Sequence, residues 1–187
     1  MNAGQSEQVR ETLRNADLLH SAEAVTAALD RLAAAITDRL ADRDPVILIV
    51  MHGALIPGGR LLSRLPFPCQ VGYLHATRYQ GGTCGRELHW IAPPSVPVAG
   101  RVVLVVDDIF DEGVTLTAIL EELRRLGARE VYSAVLVDKI HNRKVDLAVD
   151  FVGLEVEDRY VFGAGMDYHE RLRNLPAIYA VKNTDSG

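Results

Sequence analysis

Three aspartates and a hydroxyl fall within nine positions, Asp107, Asp108, Asp111 and Thr115, with Glu112, Gly113 and Val114 between the last two. They sit in the stretch VVLVVDDIFDEGVTLTAIL, residues 102–120, where an apolar strand pattern gives way to a turn and then to helical periodicity. Like charges at that spacing repel, so they need a cation, hydroxyl donors or open solvent beside them. The turn offers consecutive backbone N–H groups at a helix N-terminus, with Gly113 able to bend and the Thr115 hydroxyl as a further donor, which is a cradle for phosphate. Carboxylates suited to sugar hydroxyls beside amides suited to phosphate point to a ribose phosphate. The plainer reading is that Asp107 and Asp108 end a strand while Glu112 and Thr115 cap a helix. Each residue alone fits that reading; the whole string fits it less well.

Such a string needs a frame, and the flanking sequence supplies one. Ser21 predicts an N-cap for a helix whose stripe is Val25, Leu29, Leu32, Ile36 and Leu40, ended at Asp44-Pro45 because proline disfavours a helical residue before it. Residues 46–51, VILIVM, read as a strand buried on both faces that ends in His52-Gly53. Pro57, Gly58 and Gly59 then lead into a short helix over 60–65, and residues 69–77 form another strand. The glycine-rich segment 78–87 reads as a mobile loop, with a returning strand at 88–91 and an irregular proline-rich connection after it. Leu116, Ile119, Leu120, Leu123 and Leu126 give a helix closed by Gly127, and 131–137 a further strand. Short apolar runs follow at 151–154 and 178–181. Alternating strands and helices predict a mostly parallel α/β sheet covered by helices, whose ligands gather at the carboxyl ends of the strands.

Composition narrows the function classes. With 187 residues, 48% of them hydrophobic, the chain predicts a single domain, 1–187, divided into an N-terminal helical segment, 1–44, and a core over 46–181. Lys and Arg number 20 against 25 Asp and Glu, a net charge of −5 with no long run of like charge, which disfavours nucleic-acid and anionic-membrane partners. Cys69 and Cys84 are too few for a disulfide framework, and the polar N-terminus reads as neither signal peptide nor membrane span; a cytoplasmic protein is expected. His20, His75, His89, His141 and His169 lack metal-type spacing, so no zinc site is expected.

The string from Asp107 to Thr115 resembles the phosphoribosyl diphosphate (PRPP) motif of type I phosphoribosyltransferases: two acidic residues, two apolar ones, Asp, a polar residue, Gly, any residue, Thr. LVDKIHNR, 136–143, resembles the strand end whose lysine reads the purine 6-oxo group in the hypoxanthine-guanine phosphoribosyltransferases. DRYVFGAGMDYHERLRNLP, 158–176, is similar to their purine pocket, VMHGAL, 50–55, to their pyrophosphate loop, and ATRYQGG, 76–82, to their lid. The resemblance covers about 46–181. It implies the type I phosphoribosyltransferase fold, with a small hood and a flexible lid, and assembly as a homodimer or homotetramer.

It also implies residue roles. Asp107 and Asp108 would hold the ribose hydroxyls directly or through Mg2+. Asp111 would be the general base taking a proton as purine N7 is freed, its pKa raised by burial among carboxylates. Glu112, Gly113, Val114 and Thr115 would wrap the 5′-phosphate. Lys139 would donate to the 6-oxo group, Tyr160 would stack on the purine, and the Val161 backbone would meet the ring edge. Asp167 would line the purine pocket and bind the Mg2+ carrying the pyrophosphate, Arg173 the pyrophosphate itself, and His52-Gly53 would offer it backbone amides, with Arg78 and Tyr79 closing above. Many relatives carry lysine or arginine where His52 stands, and tyrosine where Ala164 stands. Arg143 is either a phosphate helper or a solvated charge.

The substrates so implied are small molecules, PRPP and an oxopurine, giving IMP or GMP; a lysine only donates, so a 6-amino purine is disfavoured. Xanthine preference is the near alternative. A PRPP-sensing regulator of the same fold is the distant one, opposed by the net charge and by the absence of a basic stripe. A response-regulator receiver would want its acidic pair near the N-terminus, away from its acceptor.

Overall fold

A computed structural model describes residues 3–78 and 88–182. Its centre is the strand β2 (Val46–Val50), every residue buried, with β3 (Gln70–Arg78) parallel on one side and β5 (Val102–Phe110) parallel on the other. The sheet continues through β6 (Glu130–Ile140) and β7 (Phe151–Glu157), both parallel, and is closed at the opposite edge by the antiparallel β4 (Leu88–Ala92), giving the order β4-β3-β2-β5-β6-β7. The continuous apolar run at β2 is what a doubly covered strand requires.

Among the described residues, four α-helices accompany the strands. α1 (Ala3–Asn15) precedes β1 (Asp17–His20), and α2 (Ala22–Leu40) starts where the Ser21 Oγ accepts from the Ala24 N–H at 3.2 Å. The predicted stripe of α2 is buried and packs against β7 and α3 (Leu55–Leu62). The predicted helix at 60–65 therefore begins five residues early. Pro57 lies in its first turn, where its missing N–H has no helical partner. Gly58 is a packing residue, since a Cβ there would stand 2.7 Å from Ile49 Cδ1. α4 (Val114–Arg125) follows β5, and Gly127 takes φ 85° just beyond it.

Strand β2 passes through α3 to β3 on one side, whereas β5 passes through α4 to β6 on the other. Right-handed crossovers in opposite directions put the two helices on opposite faces and open a crevice between the carboxyl ends of β2 and β5. A second sheet, β1-β9-β8, antiparallel throughout, forms the hood from β8 (Val161–Phe162) and β9 (Ile178–Ala180) with β1. Segment 1–44 is thus not purely helical: Asp17–His20 forms the outer strand of the hood, and Arg159 ties it to Asp17 and to the Val181 carbonyl. Among the described residues no helix is long and apolar enough to cross a membrane.

Candidate active site

Strand β5 runs to Phe110, two residues beyond Asp108. Asp107 and Asp108 therefore lie within the strand rather than at its end, just past Val106, the last residue of β5 to pair with β2. Both are partly buried, and each carboxylate accepts the next backbone N–H, Asp107 Oδ1 from Asp108 at 2.9 Å and Asp108 Oδ1 from Ile109 at 3.0 Å. Desolvation, then the charge of Asp108, pushes the Asp107 carboxyl well above its ordinary pKa; desolvation also raises Asp108, against the opposing effect of Arg173.

The β5–β6 register sets Phe110 opposite Asp138, so the next residues, Asp111 and Lys139, emerge together. Lys139 Nζ donates to Asp111 Oδ2 at 2.6 Å, and His141 Nε2 meets Asp111 Oδ1 at 2.7 Å. Burial acts to raise the Asp111 pKa, but these two hydrogen bonds and the accompanying charges outweigh it and leave the carboxyl below its ordinary value. This corrects the expectation of a raised Asp111. Its neighbours are cationic and donating, not carboxylate, and the raised pair is Asp107 and Asp108.

Asp111 and Ile109 are shared by two cavities of about 280 Å3 each. The first is walled by Asp107, Glu112, Gly113, Val114 and Thr115, the predicted phosphate set, with Phe110 and Leu116 beneath. Gly113 is the N-cap of α4 at φ 81°, with no side-chain cap, and a Cβ there would lie 2.3 Å from the Phe110 ring. The N-cap position of α4 is accordingly taken by Gly113 and not by Glu112 or Thr115, the residues that the plainer reading assigned to it. The second cavity is walled by Lys139, Tyr160, Val161 and Asp167, the predicted purine set, together with Asp108 and Met166. Together the cavities reach the usual size of a small-molecule site, ~300–1,000 Å3.

The pyrophosphate set lies beside these cavities. Gly53 is pressed against Asp108: a Cβ there would stand 2.1 Å from Asp108 Oδ2, and one on Gly165 2.2 Å from the Gly53 carbonyl oxygen. The exposed His52 ring meets His75 edge-on at 4.6 Å. Arg173 donates to the Gly165 carbonyl at 2.8 Å and pairs with Asp167 at 2.7 Å, while the other Asp167 oxygen accepts from the Glu170 N–H at 2.8 Å. Arg173 is thus engaged with the carboxylate expected to bind metal. Among the described residues no group of three His, Cys, Asp or Glu side chains is arranged around one ion. Asp107, Asp108 and Asp167 therefore do not form a protein-only metal cage. The buried Ala164 adopts φ 49° in the turn before Asp167, and Arg143 is held by Asp158 at 2.8 and 2.9 Å, at the surface. Of the lid, Arg78 ends β3, and Tyr79 lies outside the described residues.

Sequence reasoning passed over His141, Met166 and Gly165. His141 had a readable signal: on an extended strand it shares a face with Lys139, two residues before it. The contacts of Gly165 come from chain segments far apart in sequence and have no local signature.

The profile of the family described as phosphoribosyl transferase domain matches residues 15–171. The chain is 34% identical over 166 residues to a hypoxanthine-guanine phosphoribosyltransferase of Bacillus subtilis, covering 88% of this chain and 92% of that protein. It is 32% identical to a hypoxanthine-guanine-xanthine phosphoribosyltransferase of Tritrichomonas foetus, covering 89% and 92%. Among solved structures, a hypoxanthine phosphoribosyltransferase from Staphylococcus aureus superposes with a TM-score of 0.83 at 28% identity, covering 89% of this chain and 91% of that one.

Proposed function

The chain belongs to the phosphoribosyl transferase domain family, and from that premise we infer that it is a purine salvage enzyme joining hypoxanthine or guanine to PRPP. The N9–C1′ bond forms, the bond from C1′ to the pyrophosphate oxygen breaks, and the proton on purine N7 passes to Asp111. The observation that carries the reading is Asp111 as the common wall of the two cavities, with the phosphate-cradle turn on one side and Lys139 with Tyr160 on the other.

In this reading the amides and hydroxyl of residues 112–115 hold the 5′-phosphate, and Asp107 and Asp108 face the ribose hydroxyls. Lys139 has three N–H donors, enough to keep Asp111 and to serve a 6-oxo oxygen as well. Tyr160, 54% exposed, offers its ring for stacking, and the backbone of Val161 meets the base edge. Gly53 and His52 supply amides to the pyrophosphate, Arg173 turns from Asp167 to it, and Arg78 and Tyr79 are taken as the lid.

Asp107 and Asp108 suit a divalent cation: they are hard oxygen donors, partly withdrawn from water, and desolvation raises the proton affinity of both. Mg2+ is commonly held by one or two carboxylates plus substrate oxygens, so the lack of a protein-only cage fits it, with Asp167 as the further ligand once Arg173 is withdrawn. When bound, Mg2+ would neutralise the leaving pyrophosphate. The same reading takes the chain as a single cytoplasmic domain assembling as a homodimer or homotetramer. Its test is formation of IMP by purified protein from hypoxanthine, PRPP and Mg2+, with kcat/KM compared across hypoxanthine, guanine, xanthine and adenine. Loss of hypoxanthine and guanine turnover overturns the reading, and a clear lead for xanthine would redirect it.

A further inference from the structure

The His141 ring is fixed at both nitrogens. The Arg143 backbone N–H donates to Nδ1 at 3.1 Å, so that nitrogen carries a lone pair, and the proton sits on Nε2, pointing at Asp111 Oδ1 2.7 Å away. The side chain is 4% exposed, so solvent hardly competes for either bond. His141 therefore meets Asp111 through a fixed Nε2–H donor. The charged groups around it are Asp111 itself, Lys139 on the same strand face, Asp158 across the β6–β7 connection, and Arg143, which is taken up by Asp158.

A carboxylate held at one oxygen turns easily about its last bond, because that torsion is broad and two-fold. Lys139 alone cannot fix the Asp111 plane, since its ammonium faces the base cavity and rearranges when a base arrives. A second donor on the other oxygen, set in a buried ring that is itself tethered to backbone, can.

Resting on the function proposed above, we propose that His141 is the positioning residue for Asp111: it holds the carboxylate plane while Lys139 engages the purine, so that a free lone pair stays aimed at the N7 proton. His141→Leu fills similar space without a donor, and His141→Gln restores an amide donor near the Nε2 position. The Leu variant is expected to lose about 10- to 100-fold in kcat, the cost of misplacing a reacting group, with PRPP KM changed less than about twofold and the Gln variant recovering most of the loss. In an Asp111→Asn background the Leu substitution should cost nothing further.

A wild type that forms no IMP overturns the functional reading itself. An active wild type with undiminished His141→Leu turnover overturns the role of His141 alone. So does equal loss in the Leu and Gln variants, or an undiminished effect of Leu in the Asp111→Asn background.

Discussion

Lys139 Nζ lies 2.6 Å from Asp111 Oδ2, joining the group that would read the purine to the group that would deprotonate it. Asp111 is 43% exposed and Lys139 11%, so the pair is only half removed from water. Asp111→Asn keeps the shape and removes the charge. It is expected to lower kcat by about 10²–10⁴-fold, the usual worth of a positioned base, while PRPP dissociation changes little. Single-turnover rates and equilibrium PRPP binding check this; parallel losses in both would assign Asp111 to binding.

The same pair sets a pH prediction. Because Lys139 and His141 keep the Asp111 carboxyl below its ordinary pKa, the ionised base persists under mildly acid conditions. Lys139→Met removes one of those partners, so the carboxyl regains proton affinity and any acid limb due to Asp111 moves to higher pH. The variant should also lose the donor-based distinction between oxo and amino purines, and the ratio of kcat/KM for hypoxanthine to that for adenine should narrow by at least about 100-fold. A pH–rate profile with both bases measures the two effects together.

Gly53 has no room for a side chain beside Asp108. Gly53→Ala must push the loop or the carboxylate aside, and a reduction of at least about tenfold in kcat/KM for PRPP is expected. Steady-state kinetics alongside thermal melting decide the cause: a large fall in Tm with unchanged kinetics would show that this approach serves stability alone.

Asp107 makes the opposite stability prediction to a salt-bridged acid. Its folded pKa lies above its unfolded one, so the folded state binds the extra proton and stability is lost as pH rises from about 4 through the folded value. Asp107→Asn keeps an oxygen for the Asp108 N–H and removes the charge. The ligand-free variant should melt above wild type near pH 7, by about 2–4 °C for each kcal/mol relieved, with the difference vanishing near pH 4 and below. Calorimetry across that range checks the trend, and a gap that grows toward acid would reverse the assignment.

The frame of this site was readable because burial imposes period and composition on long elements. The stripe of α2, the unbroken apolar β2 and the acidic string after β5 all carry local signals. What escaped was decided elsewhere in the chain. The first turn of α3 was hidden by Pro57 and Gly58, residues that read as breakers until Ile49 is seen packed against the glycine. Strand β1 has four residues and draws its order from β9, some 160 positions later. The lowered Asp111 came from the β5–β6 register, which no spacing within 107–115 could reveal.

The β6–β7 connection touches the phosphate turn at several points. Its Val145 N–H donates to the Glu112 carbonyl at 3.0 Å, and the Lys144 ammonium lies 5.0 Å from the centre of the Phe110 ring that supports Gly113. Lys139, near the end of β6, and His141, the first residue of the connection, hold Asp111. One stretch of backbone thus fixes the gap between the seat of the phosphate and the seat of the base. It works as a ruler, and a nucleotide whose sugar sets a different span would match one end only by losing the other.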